Sequence, residues 1–477
     1  MALSEDLSMA VLCLVLGTEP ERATAERGFP GLDRRCCLHD DPENVPLLSL
    51  SPFQQLARQW EHLAPNNAAQ VMLLEMTADA DLVETAFQST LRDLGLGPVL
   101  VSGDGKEYSH EIWSGDPPEP LVVQRSGDVS VTQYIESELN RAFPPLPALP
   151  YRPFVVQDGA GCHMGIVYEQ WVADSVSICM LLREWLYRLI EPAKARRKLV
   201  DLPHPALSKG PAMGFSPVQF FKGIRDVHRW RRDARYLTRF PLQDARPPHI
   251  GLYPIELEAL QVSRLLMRTR AEGFTLNDLL IATLGASMGR DLPQITGTAW
   301  PAQHGRRLAI GTSIDLRPYL AGNQAETFAS LLAYVPVVCQ IPPGNLLDMA
   351  QDVARQTRRI KDSASTARKL MLPRWIARRT AEKSPEEVRA FFHQWAPLLA
   401  TVSNVNLNKT WVGTCYPKPL RGYQRMGAAS PIIPISLSAS TLGDELTLTM
   451  VVQQSVVDDA SAEAIAVGFA QTLGSLV

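Results

Sequence analysis

The stretch "YEQWVADS", residues 168–175, places four polar side chains within seven positions where a predicted strand gives way to a helix. Glu169 is a carboxylate that could act as a general base, whereas the carboxamide of Gln170 has no usable proton affinity near neutral pH. A reaction that loses its general base is typically slower by about 10²–10⁴. Gln170 could still orient a ligand or donate a hydrogen bond to a developing oxyanion.

Strand alternation sets the expected direction of these side chains. A period of two puts Tyr168 and Gln170 on one face of the strand, and His163, Glu169 and Trp171 on the other. Glu169 therefore points away from a site built around Gln170 unless the chain twists at the junction. His163 is interpreted as a buried or surface histidine outside the site.

Asp174 and Ser175 precede a helix with an apolar stripe at helical spacing, formed by Ile178, Leu182, Trp185 and Leu189. Either residue is well placed as the N-cap, where a side-chain oxygen accepts from free backbone amides. Capping alone could therefore explain Asp174. Glu169 and Gln170 have no comparable structural reason to stand at the end of a strand that enters a core.

The rest of the chain must supply the elements that position these residues. A chain of 477 residues exceeds one ordinary core, so we expect two α/β lobes, residues 1–195 and 251–477, joined by a linker at 196–250. Residues 9–16 are predicted to form a first strand. The segment 36–41 combines Cys36 and Cys37 with His39 and two aspartates, but adjacent cysteines are poorly spaced for one ion, so we predict a surface loop and no metal site.

Composition excludes several classes of protein. A net charge of −3 argues against a dedicated nucleic-acid binder, and no apolar run reaches the roughly 18–20 residues of a membrane span. Glu5 and Asp6, rather than basic residues, precede the apolar run at 9–16, which argues against a secretory signal. Seven cysteines without a CxxC pair indicate a reduced, cytoplasmic protein.

The linker contains a basic amphipathic helix, predicted over residues 217–239. Its apolar stripe comprises Phe220, Ile224, Val227, Ala234 and Leu237. Its cations are Lys222, Arg225, Arg229, Arg231, Arg232, Arg235 and Arg239. We predict a helix packed on one lobe; docking of an anionic partner or of a membrane surface is the alternative role.

The junction resembles a known signature, strand–HHxxxDG–helix, of condensation domains and their relatives among the chloramphenicol acetyltransferase-like, CoA-dependent acyltransferases. Glu169, Gln170, Asp174 and Ser175 stand at the aligned positions, so only the aspartate is kept. Further segments resemble the family in its own order. They are "PLLSLSPFQQLARQW", "FTLNDLLIATLGASM", "SIDLRPYL", "TVSNVNL" and "DELTLTMVVQQSVVDDASAEAIAVGFAQTL".

The resemblance implies two lobes in a V around a central tunnel, in which a donor thioester and an acceptor meet. The donor would be acyl-CoA or a phosphopantetheinyl carrier thioester, no cofactor would be bound permanently, and an acyl carrier protein would be a possible partner. In the family the second histidine acts as base or positions the nucleophile, and the aspartate pairs with an arginine of the second lobe. Arg317 in "DLRPYL" is the matching candidate partner for Asp174.

The sequence thus yields three groups of candidate site residues. Gln170 and Glu169 are the catalytic candidates, and Asp174, Ser175 and Arg317 are the structural ones. The candidates for substrate contact are Ser403 and Asn404, from "TVSNVNL", with Tyr168 and Trp171. Asp458 and Asp459 are interpreted as loop residues.

Two functions fit these residues. One is acyl transfer from a thioester to an amine or hydroxyl acceptor in natural-product or lipid biosynthesis. The alternative is a catalytically inactive scaffold of the same fold that binds a ligand or recruits a partner enzyme.

Overall fold

The strands of the chain form three sheets in a computed structural model that describes residues 47–103, 105–111, 123–125, 130–203, 217–242, 246–296, 306–319, 325–341, 345–361, 366–410 and 419–476. The predictions for a first strand at 9–16 and for the loop with Cys36 and Cys37 fall outside these residues. Val45–Val477 form one compact unit.

A five-stranded sheet has the order β12-β2-β7-β6-β5, a six-stranded sheet the order β10-β9-β11-β13-β14-β8, and a small sheet the order β1-β4-β3. The strands are β1 (Leu48–Ser49), β2 (Asn67–Leu74), β3 (Val99–Val101), β4 (Glu107–His110), β5 (Val123–Arg125), β6 (Tyr151–Asp158), β7 (Gly161–Glu169), β8 (Ile250–Ile255), β9 (Arg306–Asp315), β10 (Leu332–Ile341), β11 (Ala400–Asn406), β12 (Leu420–Met426), β13 (Ile435–Leu442) and β14 (Glu445–Gln453).

Helices cover the large sheets. They are α1 (Pro52–Glu61), α2 (Ala80–Leu94), α3 (Val131–Asn140), α4 (Ser175–Ile190), α5 (Pro217–Asp233), α6 (Ala259–Glu272), α7 (Leu276–Thr296), α8 (Leu346–Lys361), α9 (Thr366–Thr380), α10 (Pro385–Trp395), α11 (Leu407–Thr410) and α12 (Asp459–Gly474). Within the described residues, no helix combines the length and the apolar character needed to cross a bilayer.

Local sequence signals set several helix ends. Ser51 and Gln54 form a reciprocal capping box at the start of α1, with Pro52 at the first helical position. Gly95 ends α2 with φ of 71°, a conformation that favours glycine. The hydroxyl of Thr275 accepts from the amide of Asp278 at the start of α7.

Two lobes are thus built, each around one large sheet, and we call them the first lobe (five-stranded sheet) and the second lobe (six-stranded sheet). The predicted α/β fold is confirmed. One strand crosses between the halves of the sequence: β12 pairs antiparallel with β2, so that Arg425 lies opposite Gln70. The first lobe's sheet is therefore completed by a strand that comes late in the chain.

Each lobe has its own apolar core. In the first lobe the core lies between the five-stranded sheet and α1, α2 and α4, and includes the fully buried Trp171 and Trp185. In the second lobe it lies between the six-stranded sheet and α7, α8 and α12. Burial of these faces supplies most of the driving force for folding.

The predicted basic helix is α5, and it packs against α9. Val227, Ala234 and Leu237 are buried, as the apolar stripe predicts; the side chain of Phe220 lies outside the described part. Two cations of the predicted helix make structural contacts that the sequence did not indicate. Arg231 lies over the rings of Trp375 and Trp395, and Arg239 donates to the carbonyls of Ala234, Leu237 and His393.

Candidate functional site

A buried ion pair joins the two lobes at the junction of β7 and α4. Arg317 donates to both carboxylate oxygens of Asp174, with Nη1–Oδ2 at 2.8 Å and Nη2–Oδ1 at 3.0 Å. Oδ1 also accepts from the amides of Val176 and Ser177, at 3.1 and 3.0 Å. Asp174 is therefore both the helix cap and the partner of Arg317, and the two interpretations of this residue hold together.

The remaining hydrogen-bonding capacity of this pair is used within the protein. The amide of Leu331 donates to Oδ2 of Asp174 at 2.9 Å, and Nη2 of Arg317 donates to the Ser177 hydroxyl at 2.9 Å. Arg317 also contacts the carbonyl of Thr327 and the carboxylate of Asp315. A pair so fully satisfied holds the lobes in register and has no free group for chemistry.

Gln170 lies one residue beyond the end of β7, and its amide reaches across to the second lobe. Its Nε2 donates to the hydroxyl of Tyr334 on β10 at 3.1 Å. The Tyr334 ring packs against Phe53 with centroids 4.9 Å apart. Burial raises the pKa of Tyr334 to about 12, so the phenol stays protonated. Because its oxygen accepts from Gln170, its own O–H points elsewhere, and no described residue accepts that proton.

Arg425 of β12 lies beside this pair and links both lobes. Its Nη2 donates to the hydroxyls of Ser175 at 2.6 Å and Ser403 at 2.9 Å, and Nη1 donates to the carbonyl of Ala439 at 3.1 Å. The residue is 4% exposed, and its Nε has no hydrogen-bond partner. Burial lowers the pKa of Arg425, and nearby phenols, that of Tyr168 first, act to raise it.

Buried polar side chains of the first lobe complete this region. Gln70 donates to the Tyr168 hydroxyl at 3.3 Å and to the carbonyl of Ser175 at 3.1 Å, and Tyr423 donates to Gln70. We call the whole group the interlobe polar cluster. Its members are Gln70, Tyr168, Gln170, Ser175, Tyr334, Ser403, Tyr423 and Arg425. Polar groups from both lobes therefore converge beside the motif. Apolar side chains at these positions would have avoided the free-energy cost of burying polar groups.

Glu169 lies in a different environment from Gln170. Burial raises its pKa to about 7, while the Trp171 indole, Arg152 and Arg58 act to lower it. Its Oε2 and the indole Nε1 both lack a partner of normal hydrogen-bond geometry, so the indole contact is weak. Burial and the charge of Glu169 raise the pKa of Glu61 to about 9. We call Glu61 and Glu169 the acid pair.

The other candidates lie outside the interlobe polar cluster. The Trp171 ring packs against Tyr108 in the first-lobe core, with centroids 5.8 Å apart. Strand alternation puts Asn404 on the opposite face of β11 from Ser403, and its buried Oδ1 has no partner. Asp458 caps α12, and Asp459 accepts from the hydroxyl of Tyr253. Among the described residues, no group of three or more acidic, histidine or cysteine side chains is placed to hold a metal ion.

Comparison with solved structures decides the fold. The first condensation domain of the CDA synthetase superposes with a TM-score of 0.61, at 13% identity over 91% of this chain and 95% of that one. The chain has the condensation-domain fold. The condensation-domain relatives include the starter condensation domain of rhizomide synthetase, solved with C8-CoA and Leu-SNAC, at TM-score 0.60 and 14% identity over 90% and 94% of the chains.

A further structure of this fold is the X-domain from teicoplanin biosynthesis, solved in complex with OxyB. It superposes with a TM-score of 0.57 and 14% identity, over 94% of this chain and 96% of that one. No protein-family model and no curated protein matches the chain. The resemblance to condensation domains is thus confirmed at the level of the fold.

Tyr334 and Arg425 were not predicted as site residues. Tyr334 occurs in the strand "LAYVPVVCQI", where a single aromatic residue is an ordinary β-sheet feature. Arg425 occurs in "LRGYQRM", and only the pairing of β12 with β2 brings it to the motif. The only signal in the sequence was Arg425 itself, a charged residue within the segment that forms β12. Its burial became clear only from the structure.

Proposed function

We propose that this chain transfers an acyl group from a CoA or carrier-protein thioester to an amine, by binding and orientation rather than by general-base catalysis. The observation that carries the proposal is the hydrogen bond from Gln170 to Tyr334, at 3.1 Å across the two lobes. It fixes a neutral phenol whose proton has no acceptor among the described residues. A donor held in this way is preorganised for an oxyanion.

In the proposed reaction the neutral amine nitrogen attacks the thioester carbonyl carbon. The C–N bond forms, the carbonyl oxygen becomes an oxyanion, and Tyr334 donates to it. The C–S bond then breaks, and the proton lost by nitrogen leaves with the thiolate as a free thiol. A neutral amine, unlike an alcohol, needs no base to remove a proton before it attacks. Glutamine at position 170 in place of a histidine is therefore tolerable for an amine acceptor and severe for an alcohol.

The acid pair does not supply the missing base in this proposal. The groups that act on Glu169 are Trp171, Arg152 and Arg58, and none of them belongs to the interlobe polar cluster. The solved complex of a starter condensation domain with C8-CoA and Leu-SNAC supports a thioester donor for a chain of this fold.

The second candidate function is a non-catalytic scaffold that binds a ligand or recruits an enzyme. Two observations favour it: the amide of Gln170 is already satisfied by Tyr334, and a chain of this fold, the X-domain, is solved in complex with OxyB. The two functions predict different outcomes in a single assay.

The assay offers the purified chain acetyl-, octanoyl- and palmitoyl-CoA with amine and alcohol acceptors, and measures thiol release and the acylated product by mass spectrometry. We expect turnover with amines, lowered about 10²–10³-fold by Tyr334→Phe, which removes the oxyanion donor. Tyr151→Phe is the matched control, because it removes a buried phenol hydroxyl on β6 that lies outside the cluster and, unlike that of Tyr334, has no hydrogen-bond partner.

Turnover unchanged in Tyr334→Phe would remove the proposed role of the phenol. Turnover absent in the wild type and present only in Gln170→His would favour the scaffold, because the histidine would then restore a missing base to an intact site.

A further inference from the structure

Arg425 is a buried cation with no buried anion beside it in the described part of the chain. It is 4% exposed, and among the described residues no carboxylate forms an ion pair with it. Its contacts are two serine hydroxyls and one carbonyl, all neutral. Buried charges in proteins are normally paired, because an uncompensated ion in a low dielectric is costly.

Arg317 provides the contrast within the same region. It is equally buried, at 4% exposure, and pairs with both oxygens of Asp174 and with Asp315. The described residues therefore compensate one interlobe arginine fully and leave the other without a counter-charge. The difference favours a counter-charge for Arg425 that a bound ligand supplies.

The surroundings of Arg425 have spare polar capacity. Its Nε–H is unused, and β12 lies over a face of the second-lobe sheet that is rich in buried hydroxyls. The buried ones are Ser436, Ser438, Ser440 and Thr449, and Ser403 on the same face is half-buried. The hydroxyl of Ser440 has no hydrogen-bond partner. The N-terminus of α4, which carries partial positive charge, begins at Ser175 beside the guanidinium.

We propose that Arg425 binds a carboxylate of the ligand between Ser175 and Ser403. A single carboxylate would neutralise the guanidinium, whereas a phosphate monoester carries nearly two charges and would leave a buried negative charge. One consequence of this inference rests on the proposed function. The amine acceptor would carry a free carboxylate and would not be a carrier-bound thioester, which has none.

The binding test uses N-acetylglycine, its neutral analogue N-acetylglycinamide, and inorganic phosphate, with calorimetry and thermal melting up to the solubility limit of each. We expect N-acetylglycine to bind and to raise the melting temperature, and the amide to bind at least tenfold more weakly. Arg425→Gln should lower affinity for N-acetylglycine roughly 10- to 100-fold, the usual worth of one charge-assisted hydrogen-bond pair.

The matched control is Arg421→Gln on the same strand, where the side chain is exposed and contacts Glu75. It should bind N-acetylglycine as the wild type does. Arg425→Lys, which keeps the charge and loses the planar fork, should bind with intermediate affinity. If Arg425→Gln does not fold, the wild-type comparison of N-acetylglycine with its amide and the Arg425→Lys result still decide the proposal.

Several outcomes would overturn the inference. They are equal binding of N-acetylglycine and its amide, no binding of N-acetylglycine by the wild type, and stronger binding of phosphate. Carboxylate binding that depends on Arg425 without any thioester turnover would contradict the proposed function and leave this site standing. Turnover of amino acids and of their amides at equal rates would contradict the carboxylate site and leave the proposed acyl transfer standing.

Discussion

Arg317 and Asp174 meet through two parallel hydrogen bonds, of 2.8 and 3.0 Å, between residues 143 positions apart in the sequence. Asp174 belongs to the first lobe and Arg317 to the second. Since the same carboxylate caps α4 and accepts from Leu331, one side chain fixes a helix start and the contact between the lobes.

Removing one member of this pair should leave the other buried and unpaired. We expect Asp174→Ala or Arg317→Ala to lower the free energy of unfolding by about 3–5 kcal/mol, and the double variant to lose less than the sum. Urea denaturation measures both quantities. Arg421→Ala, which breaks an exposed ion pair with Glu75, is the control and should leave stability unchanged. Additive losses in the double variant would show that the two residues act independently.

The acid pair should make stability depend on pH. The folded-state pKa values of Glu169 and Glu61, about 7 and about 9, lie above the unfolded value of 4.5, so the folded state binds more protons between these limits. The contribution of these two carboxyl groups to the free energy of unfolding is therefore fully present below about pH 4.5 and is lost as the pH rises through 7 to 9.

Glu169→Gln should consequently stabilise the protein at pH 8, by roughly 1–3 kcal/mol, and change little at pH 4.5. Chemical denaturation at the two pH values gives the comparison. Glu84→Gln, at a half-buried position on α2, is the control for a Glu→Gln change outside the acid pair. Equal effects of Glu169→Gln at both pH values would mean that this carboxylate does not titrate differently on folding.

We propose that the exposed face of α5 docks an acidic carrier protein, if the donor is carrier-bound. Lys222, Arg225 and Arg229 are exposed and lie at spacings of three and four along one side of the helix. We expect Arg225→Glu with Arg229→Glu to weaken binding of an acyl carrier protein and to reduce its salt dependence. Arg264→Glu with Arg270→Glu on α6 changes the net charge equally and should have no effect; equal weakening by both pairs would indicate a general charge effect.

The sequence predicted those parts of the site that depend on local signals. Asp174 at the N-cap followed from the helix pattern, and Arg317 from a motif in the resemblance, and both residues lie where expected. The facing of Glu169 away from Gln170 followed from strand alternation, and the two side chains have different neighbours in the structure.

The contacts that were missed depend on long-range pairing. Arg425 reaches the motif because β12 pairs with β2, which lies some 350 residues earlier, as in the Tyr423–Gln70 contact at a separation of 353. Tyr334 reaches Gln170 only through the packing of one lobe on the other, across 164 residues. No periodicity or turn signal encodes such a register, so these two residues could be found only from the fold.

The pH dependence of acyl transfer tests the central claim most directly, since the claim is that no protein base takes part. For the wild type and an amine acceptor, log kcat/KM should rise with a slope of about one up to the pKa of the amine, and Glu169→Gln should give the same profile. A break near pH 7, where Glu169 titrates, that is lost in Glu169→Gln would show that a protein carboxylate acts as the base and would contradict the account.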